Sequence, residues 1–141
     1  MFLSQTTEYA LSVLVEIYRT KKRKGGYVRL EDLPERFRKP YIGLILNHLV
    51  KKGILRSQKG KGGGFDFNIP PNKLTLWRIV EVLEDTERYD RCVFGLEQCN
   101  SSQPCPFHKE IEPIRERFKR FLTGNTIEKL ARNLPESITA L

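Results

Sequence analysis

Residues 54 to 69 constrain the fold of this chain more than any other stretch. Ile54-Leu55-Arg56-Ser57 and Phe65-Asp66-Phe67-Asn68-Ile69 are two short strand patterns. Between them lies Gln58-Lys59-Gly60-Lys61-Gly62-Gly63-Gly64, which reads as the mobile, basic tip of a hairpin. The sequence before it is helical. Tyr9, Ala10, Val13, Leu14, Ile17 and Tyr18 recur at helical spacing, with Thr6 or Thr7 placed to cap the start. The run Lys21-Lys22-Arg23-Lys24-Gly25-Gly26 reads as the loop that ends this helix. A strand-like piece at 27–29 leads to a second short helix near 30–37, with Pro34 in or near its first turn. A third helix opens at Pro40 and stops at about Lys52-Gly53, burying Ile42, Ile45, Leu46 and Leu49. Three helices followed by a hairpin is the order of a winged helix-turn-helix. The predicted class is therefore mainly α with a small β-hairpin.

Pro70-Pro71 closes the hairpin, and Thr75 can cap a fourth helix bearing Leu76, Trp77, Ile79, Val80, Val82 and Leu83. Residues 91–108 are loop-like. An amphipathic helix begins near Glu110, with Ile111, Ile114, Phe118, Phe121 and Leu122 on one side. Such a stripe suits a core or a dimer seam. A chain of 141 residues has little core to cover it, so a homodimer seam is expected. The expected division is a DNA-binding domain at 1–85, a cysteine-rich loop at 86–108, and a dimerisation helix with a C-terminal tail at 109–141.

The net charge of +8 is concentrated in one half of the chain. Residues 1–75 hold 15 Lys/Arg against 6 Asp/Glu, while residues 76–141 hold 10 against 11. A one-sided positive field attracts polyanions, of which double-stranded DNA is the usual one. Reading DNA requires donors and acceptors at the start of a helix that fits the major groove. Arg38, Lys39, Tyr41, Asn47 and His48 are the polar residues on or just before the third helix. Pro40 fixes its entry and leaves first-turn N–H groups for a phosphate. In the hairpin tip, Gly60, Gly62, Gly63 and Gly64 let backbone approach a phosphate, and Lys59 and Lys61 supply charge. The tip does not open a helix and lacks the Lys-Ser/Thr ending of a nucleotide-binding loop, which excludes that reading.

Cys92, Cys99 and Cys105 are the chain's three cysteines, in the pattern Cys92-x6-Cys99-x5-Cys105-x2-His108. An odd, clustered set argues against a disulfide framework and for metal ligation or thiol chemistry. Three thiolates and an imidazole suit a tetrahedral zinc or an iron–sulfur cluster. The tight C-x2–4-C knuckle of structural zinc sites is missing, and the loose spacing fits a cluster better. A bare-thiol redox switch is the third possibility. No enzyme is expected: only His48 and His108 could serve a Cys/His nucleophile pair, and the loop position and surplus cysteines argue against one. No run of 18 apolar residues is present, so no membrane partner is expected. The start of the chain carries Glu8 and Glu16 and no basic leader, so a cytoplasmic location is expected.

Several stretches resemble the IscR-like family of bacterial winged-helix regulators. They are Thr6-Thr7-Glu8-Tyr9-Ala10-Leu11, Val50-Lys51-Lys52-Gly53-Ile54-Leu55-Arg56-Ser57, Lys59-Gly60-Lys61-Gly62-Gly63-Gly64-Phe65, Leu74-Thr75-Leu76-Trp77-Arg78-Ile79-Val80 and the three cysteines. The similarity runs from about residue 2 to residue 132. It implies a homodimer on near-palindromic operators, sensing iron–sulfur status, nitric oxide or oxidants. It also implies a cluster held by Cys92, Cys99, Cys105 and a variable fourth ligand. His108 matches the histidine of 2Fe–2S members, and Glu8 matches an acidic position that some nitric-oxide-sensing members use from the partner subunit. One departure is clear. Many members begin the recognition helix with Ser-Tyr-Leu-Glu, and this chain has Pro40-Tyr41-Ile42-Gly43. The acidic reader is absent, so no operator sequence carries over.

Overall fold

A computed structural model describes residues 2–137. The last four positions of the expected C-terminal tail, and Met1, lie outside the described residues. The chain opens with α1 (Gln5–Lys24), which begins earlier and ends later than its apolar pattern suggests. Ser4, rather than Thr6 or Thr7, caps it by accepting the Thr7 N–H, while Thr7 is buried. The basic run that reads as a loop is its last turn. Lys21, Lys22, Arg23 and Lys24 face the negative end of the helix dipole, and Gly25, at φ 74°, ends the helix.

The second helix expected at 30–37 is instead two separate 3-10 turns, Leu30–Asp32 and Glu35–Phe37. Pro34 accounts for the break, since its ring forces the preceding Leu33 into an extended conformation, ψ 157°. Leu33 and Phe37 still reach the core, so the interruption costs no burial. Next comes α2 (Pro40–Lys51), which buries Ile42, Ile45, Leu46 and Leu49 as its spacing predicts.

Strands β1 (Leu55–Gln58) and β2 (Gly64–Phe67) pair antiparallel, with Leu55 opposite Phe67 and Gln58 opposite Gly64. Val28 adds a single bridging residue on the far edge of β2, exchanging both backbone hydrogen bonds with Phe65 at 2.8 and 2.7 Å. A Cβ on Gly64 would lie 2.5 Å from the Val28 carbonyl oxygen, so this close pairing requires glycine.

Thr75 caps α3 (Leu76–Leu83), α4 spans His108–Thr123 and α5 spans Ile127–Asn133. The expected tail after α4 therefore contains a helix, which buries Ile127 and Ala131 and packs along α1. One expected seam residue changes place as well. Leu122 is 0% exposed and belongs to the core, because α4 packs one side on α3. Phe118 is half-buried on that side, its ring 5.1 Å from Phe2 and 6.1 Å from Tyr89. Ile111 is half-buried, whereas Ile114 and Phe121 are exposed at 58% and 54%. Among the described residues no helix is long and apolar enough to cross a membrane.

Candidate nucleic-acid interface and thiol centre

The wing is a stiffer object than its glycine content suggests. Arg29, beside the bridging Val28, donates from Nε to the Gly63 carbonyl at 3.3 Å and from its terminal nitrogen to the Gly60 carbonyl. Two carbonyls of the turn are thus clamped to the body of the domain, while Lys59, Lys61 and Gly62 stay exposed at the tip. Gly63 lies inside the turn: a Cβ there would sit 2.1 Å from the Gln58 carbonyl oxygen. At the wing's base, Asp66 is buried between Lys21 and Arg56, the latter at 2.9 Å, and accepts the Phe67 N–H at 2.8 Å. Burial pushes the Asp66 carboxyl up, but the two cations and the backbone donor outweigh it and hold it below the usual carboxylate range.

On α2 the polar residues named from sequence divide. Lys39, Pro40, Tyr41 and Asn47 are exposed, and Lys39 is the N-cap without a side-chain capping bond. The Tyr41 ring leans on Tyr9, centroids 5.3 Å apart. Arg38 is exposed, but its guanidinium donates to the Leu33 and Glu31 carbonyls, both at 2.9 Å, and so braces the turn ahead of α2. His48 turns back toward α3, its Nε2 3.2 Å from the Val82 carbonyl. Sequence reasoning missed Arg29, which carries no local signal beyond its charge. It also missed Leu44, 71% exposed, although a helical wheel places it opposite the Ile42/Ile45/Leu46/Leu49 face.

The three cysteines converge, with their sulfurs all within 4.8 Å of one another. Cys92 and Cys105 Sγ lie 4.0 Å apart, and His108 Nδ1 lies 3.5 Å from Cys99 Sγ. His108 is the first residue of α4 and is 9% exposed, where sequence reading expects a loop histidine. The helix i,i+4 spacing brings Glu112 beneath it, with Oε2 3.2 Å from Nε2. A cavity of about 230 Å³ opens beside Cys92, Cys99, His108 and Glu112. The donors that converge here are three thiols, the kind that soft metal centres use, and His108 stands beside them against Cys99. Glu8 is exposed in the first turn of α1, and neither it nor His108 belongs to the group of donors that all lie within 4.8 Å of one another.

Backbone N–H groups of Leu96 and Phe94 lower the Cys92 thiol. The Cys105 N–H pulls the Cys99 thiol down, but burial and the two neighbouring sulfurs prevail and raise it. The loop's entry is tied to both neighbouring helices. Arg115 of α4 donates to the Arg91 carbonyl, and Lys119 pairs with Asp90 at 3.3 Å. Tyr89 donates at 2.7 Å to Glu84, whose other oxygen accepts the Ser4 N–H at the start of α1. One carboxylate therefore joins the N-terminus of α1, the end of α3 and the entry to the cysteine loop.

Comparison with known proteins agrees with this layout. Residues 3–133 match the family model "Rrf2: Iron-dependent Transcriptional regulator". A helix-turn-helix-type transcriptional regulator of Aquifex aeolicus is 29% identical over 134 residues, covering 92% of this chain and 91% of its own. The transcriptional regulator IscR of Pectobacterium atrosepticum is 24% identical over 135 residues, covering 94% and 80%. Among solved structures, CymR, the global cysteine regulator of B. subtilis, superposes with a TM-score of 0.74 at 24% identity, covering 96% of this chain and 99% of its own. T. potens IscR superposes at 0.71 and 20% identity, covering 100% and 93%.

Proposed function

The chain belongs to the Rrf2 family of transcriptional regulators, and from that premise we propose a homodimer on double-stranded DNA whose grip depends on an iron–sulfur cluster. Cys92, Cys99, Cys105 and His108 would hold the cluster, and the match of His108 to the histidine of 2Fe–2S members implies a 2Fe–2S type. The observation that carries this reading is the convergence of three sulfurs within 4.8 Å on the loop that leads directly into α4. When bound, such a cluster supplies a centre that oxidants, nitric oxide or iron shortage can alter.

The chain's own residues do the rest. His108 presents Nδ1 toward Cys99, and the Glu112 carboxylate lies beside Nε2. Arg115 and Lys119 fasten the start of the loop to α4. The exposed Ile114 and Phe121, with the edge of Ile111, offer a strip for a second copy. An isologous pair would set two α2 helices about 34 Å apart, one turn of DNA, on a near-palindromic operator. Lys59 and Lys61 at the wing tip, with Lys39 at the start of α2, would contact phosphates. Glu8 is the alternative fourth ligand and, as the resemblance to nitric-oxide-sensing members implies, would come from the partner subunit. The site of action is the cytoplasm, where DNA and reduced thiols are both available.

A thiol switch is the second reading, favoured by the 4.0 Å separation of the Cys92 and Cys105 sulfurs. The visible spectrum of protein purified without oxygen separates the readings. The cluster predicts a brown sample with charge-transfer bands that Cys99→Ala abolishes. A colourless sample, with or without zinc, overturns the cluster assignment.

A further inference from the structure

Helix α2 presents to solvent a stripe of a kind unusual for a surface helix in so cationic a domain. Leu44 is 71% exposed and Tyr41 is 41% exposed. Asn47 follows Leu44 by three residues and Lys51 follows it by seven, so Leu44, Asn47 and Lys51 share one face. Lys51 lies at the C-terminal end of this stripe, and Lys39 precedes the first turn as the N-cap, both exposed. An apolar patch between two cations is shaped for a surface that is anionic at its edges and partly apolar between them, which describes the major groove.

What the helix lacks narrows the ligand further. Its twelve residues, Pro40–Lys51, contain no Asp, Glu or Arg. Cytosine is read by a carboxylate accepting from its amino group, and guanine by arginine or lysine; here Lys39 is assigned above to a phosphate and Lys51 lies in the last turn, away from the base-reading end. The arginine nearest the helix start, Arg38, is engaged by the Leu33 and Glu31 carbonyls. His48, the other candidate reader, is turned toward the Val82 carbonyl. Leu44 and Asn47 remain at the centre of the stripe. An apolar side chain contacts the thymine 5-methyl group, and an asparagine amide pairs with adenine N6 and N7.

We propose that Leu44 and Asn47 are the specificity-determining residues of this helix, and that they read A·T pairs through thymine methyl groups and an adenine edge. The inference rests on the DNA-binding reading above. Leu44 is exposed in the free protein because its partner is a row of methyl groups in the groove. Its exposure also makes it replaceable without disturbing the core.

The test uses the full-length protein and a duplex library with randomised positions, followed by affinity measurements on the selected duplex. Each thymine of that duplex is then replaced by uracil, which removes the methyl group and nothing else. The expected result is A·T pairs at the centre of each half-site, and an affinity loss of about fourfold for each methyl in contact. Leu44→Ala should lose most of that thymine–uracil difference while keeping the wild-type dependence on salt. Asn47→Ala should relax the selection at one adenine. Salt-dependent binding that ignores uracil substitution, or a Leu44→Ala variant that keeps the full difference, would overturn the assignment and leave the DNA-binding reading standing. If no duplex binds at all, both fall.

Discussion

Asp66 has two cations to balance it and is almost out of contact with water, so its charge contributes to stability in a way that depends on pH. Its folded-state carboxyl lies below the ordinary value of about 3.9. The contribution is therefore complete above that value and is lost as pH falls through the lower folded one. Asp66→Asn should cost about 1.5–3 kcal/mol at neutral pH. The gap between wild-type and variant urea midpoints should close as the pH is taken below about 3.9. A gap that persists unchanged at low pH would assign the effect to shape instead of charge. A second residue-scale prediction concerns the wing turn. Gly63→Ala places a methyl 2.1 Å from a backbone oxygen, where nothing flexible can yield. The turn should re-form in another geometry, weakening duplex binding while the thermal midpoint of the helical body changes little. Arg29→Ala should act in the same direction by releasing the Gly60 and Gly63 carbonyls.

At the scale of the element, the wing and α4 are the parts whose roles can be separated by measurement. Lys59→Ala/Lys61→Ala should reduce the slope of log affinity against log salt by about two, one for each phosphate contact removed. On α4, opposite faces should give opposite outcomes. Leu122→Ala empties a fully buried position and should cost about 2–5 kcal/mol in chemical denaturation. Phe121→Asp lies on the exposed face and should instead shift the sedimenting species toward a single chain. The element order was legible because α2, α3 and the hairpin carry strong local signals: Pro40 and Gly53 bracket α2, and Thr75 caps α3 as its position suggests. The failures had local causes at Pro34 and the end of α1, and tertiary ones at Leu122 and α5. Pro34 divided one expected helix into two turns, and the basic end of α1 stayed helical because charge there suits the dipole. Leu122 read as seam because periodicity marks a face as apolar without saying whether the covering surface is intramolecular. Helix α5 was not foreseen because seven residues carry too little pattern, and its place is set by α1.

Across the whole molecule, the entry to the cysteine loop is bonded to α4, α3 and α1, and through α3 to α2, the helix proposed to read DNA. Arg115 and Lys119 bind its entry to α4, and Tyr89 and Glu84 bind the same entry to the start of α1 and the end of α3. His48 then joins α3 to α2 through the Val82 carbonyl. The sequence placed the three sulfurs in one loop, but not Glu84, which sits eight residues before Cys92 and reaches the N-terminus eighty residues away. Long-range bonds of this kind leave no periodic trace. A ligand at the loop alters DNA binding only if it favours one arrangement of the proposed DNA-contacting elements over another. The most direct test is duplex affinity at one fixed salt concentration for cluster-loaded protein, cluster-free protein and Cys92→Ala. The account predicts that the loaded form differs from the other two by about fivefold or more, and that those two agree with each other. Equal affinities for all three forms would contradict it.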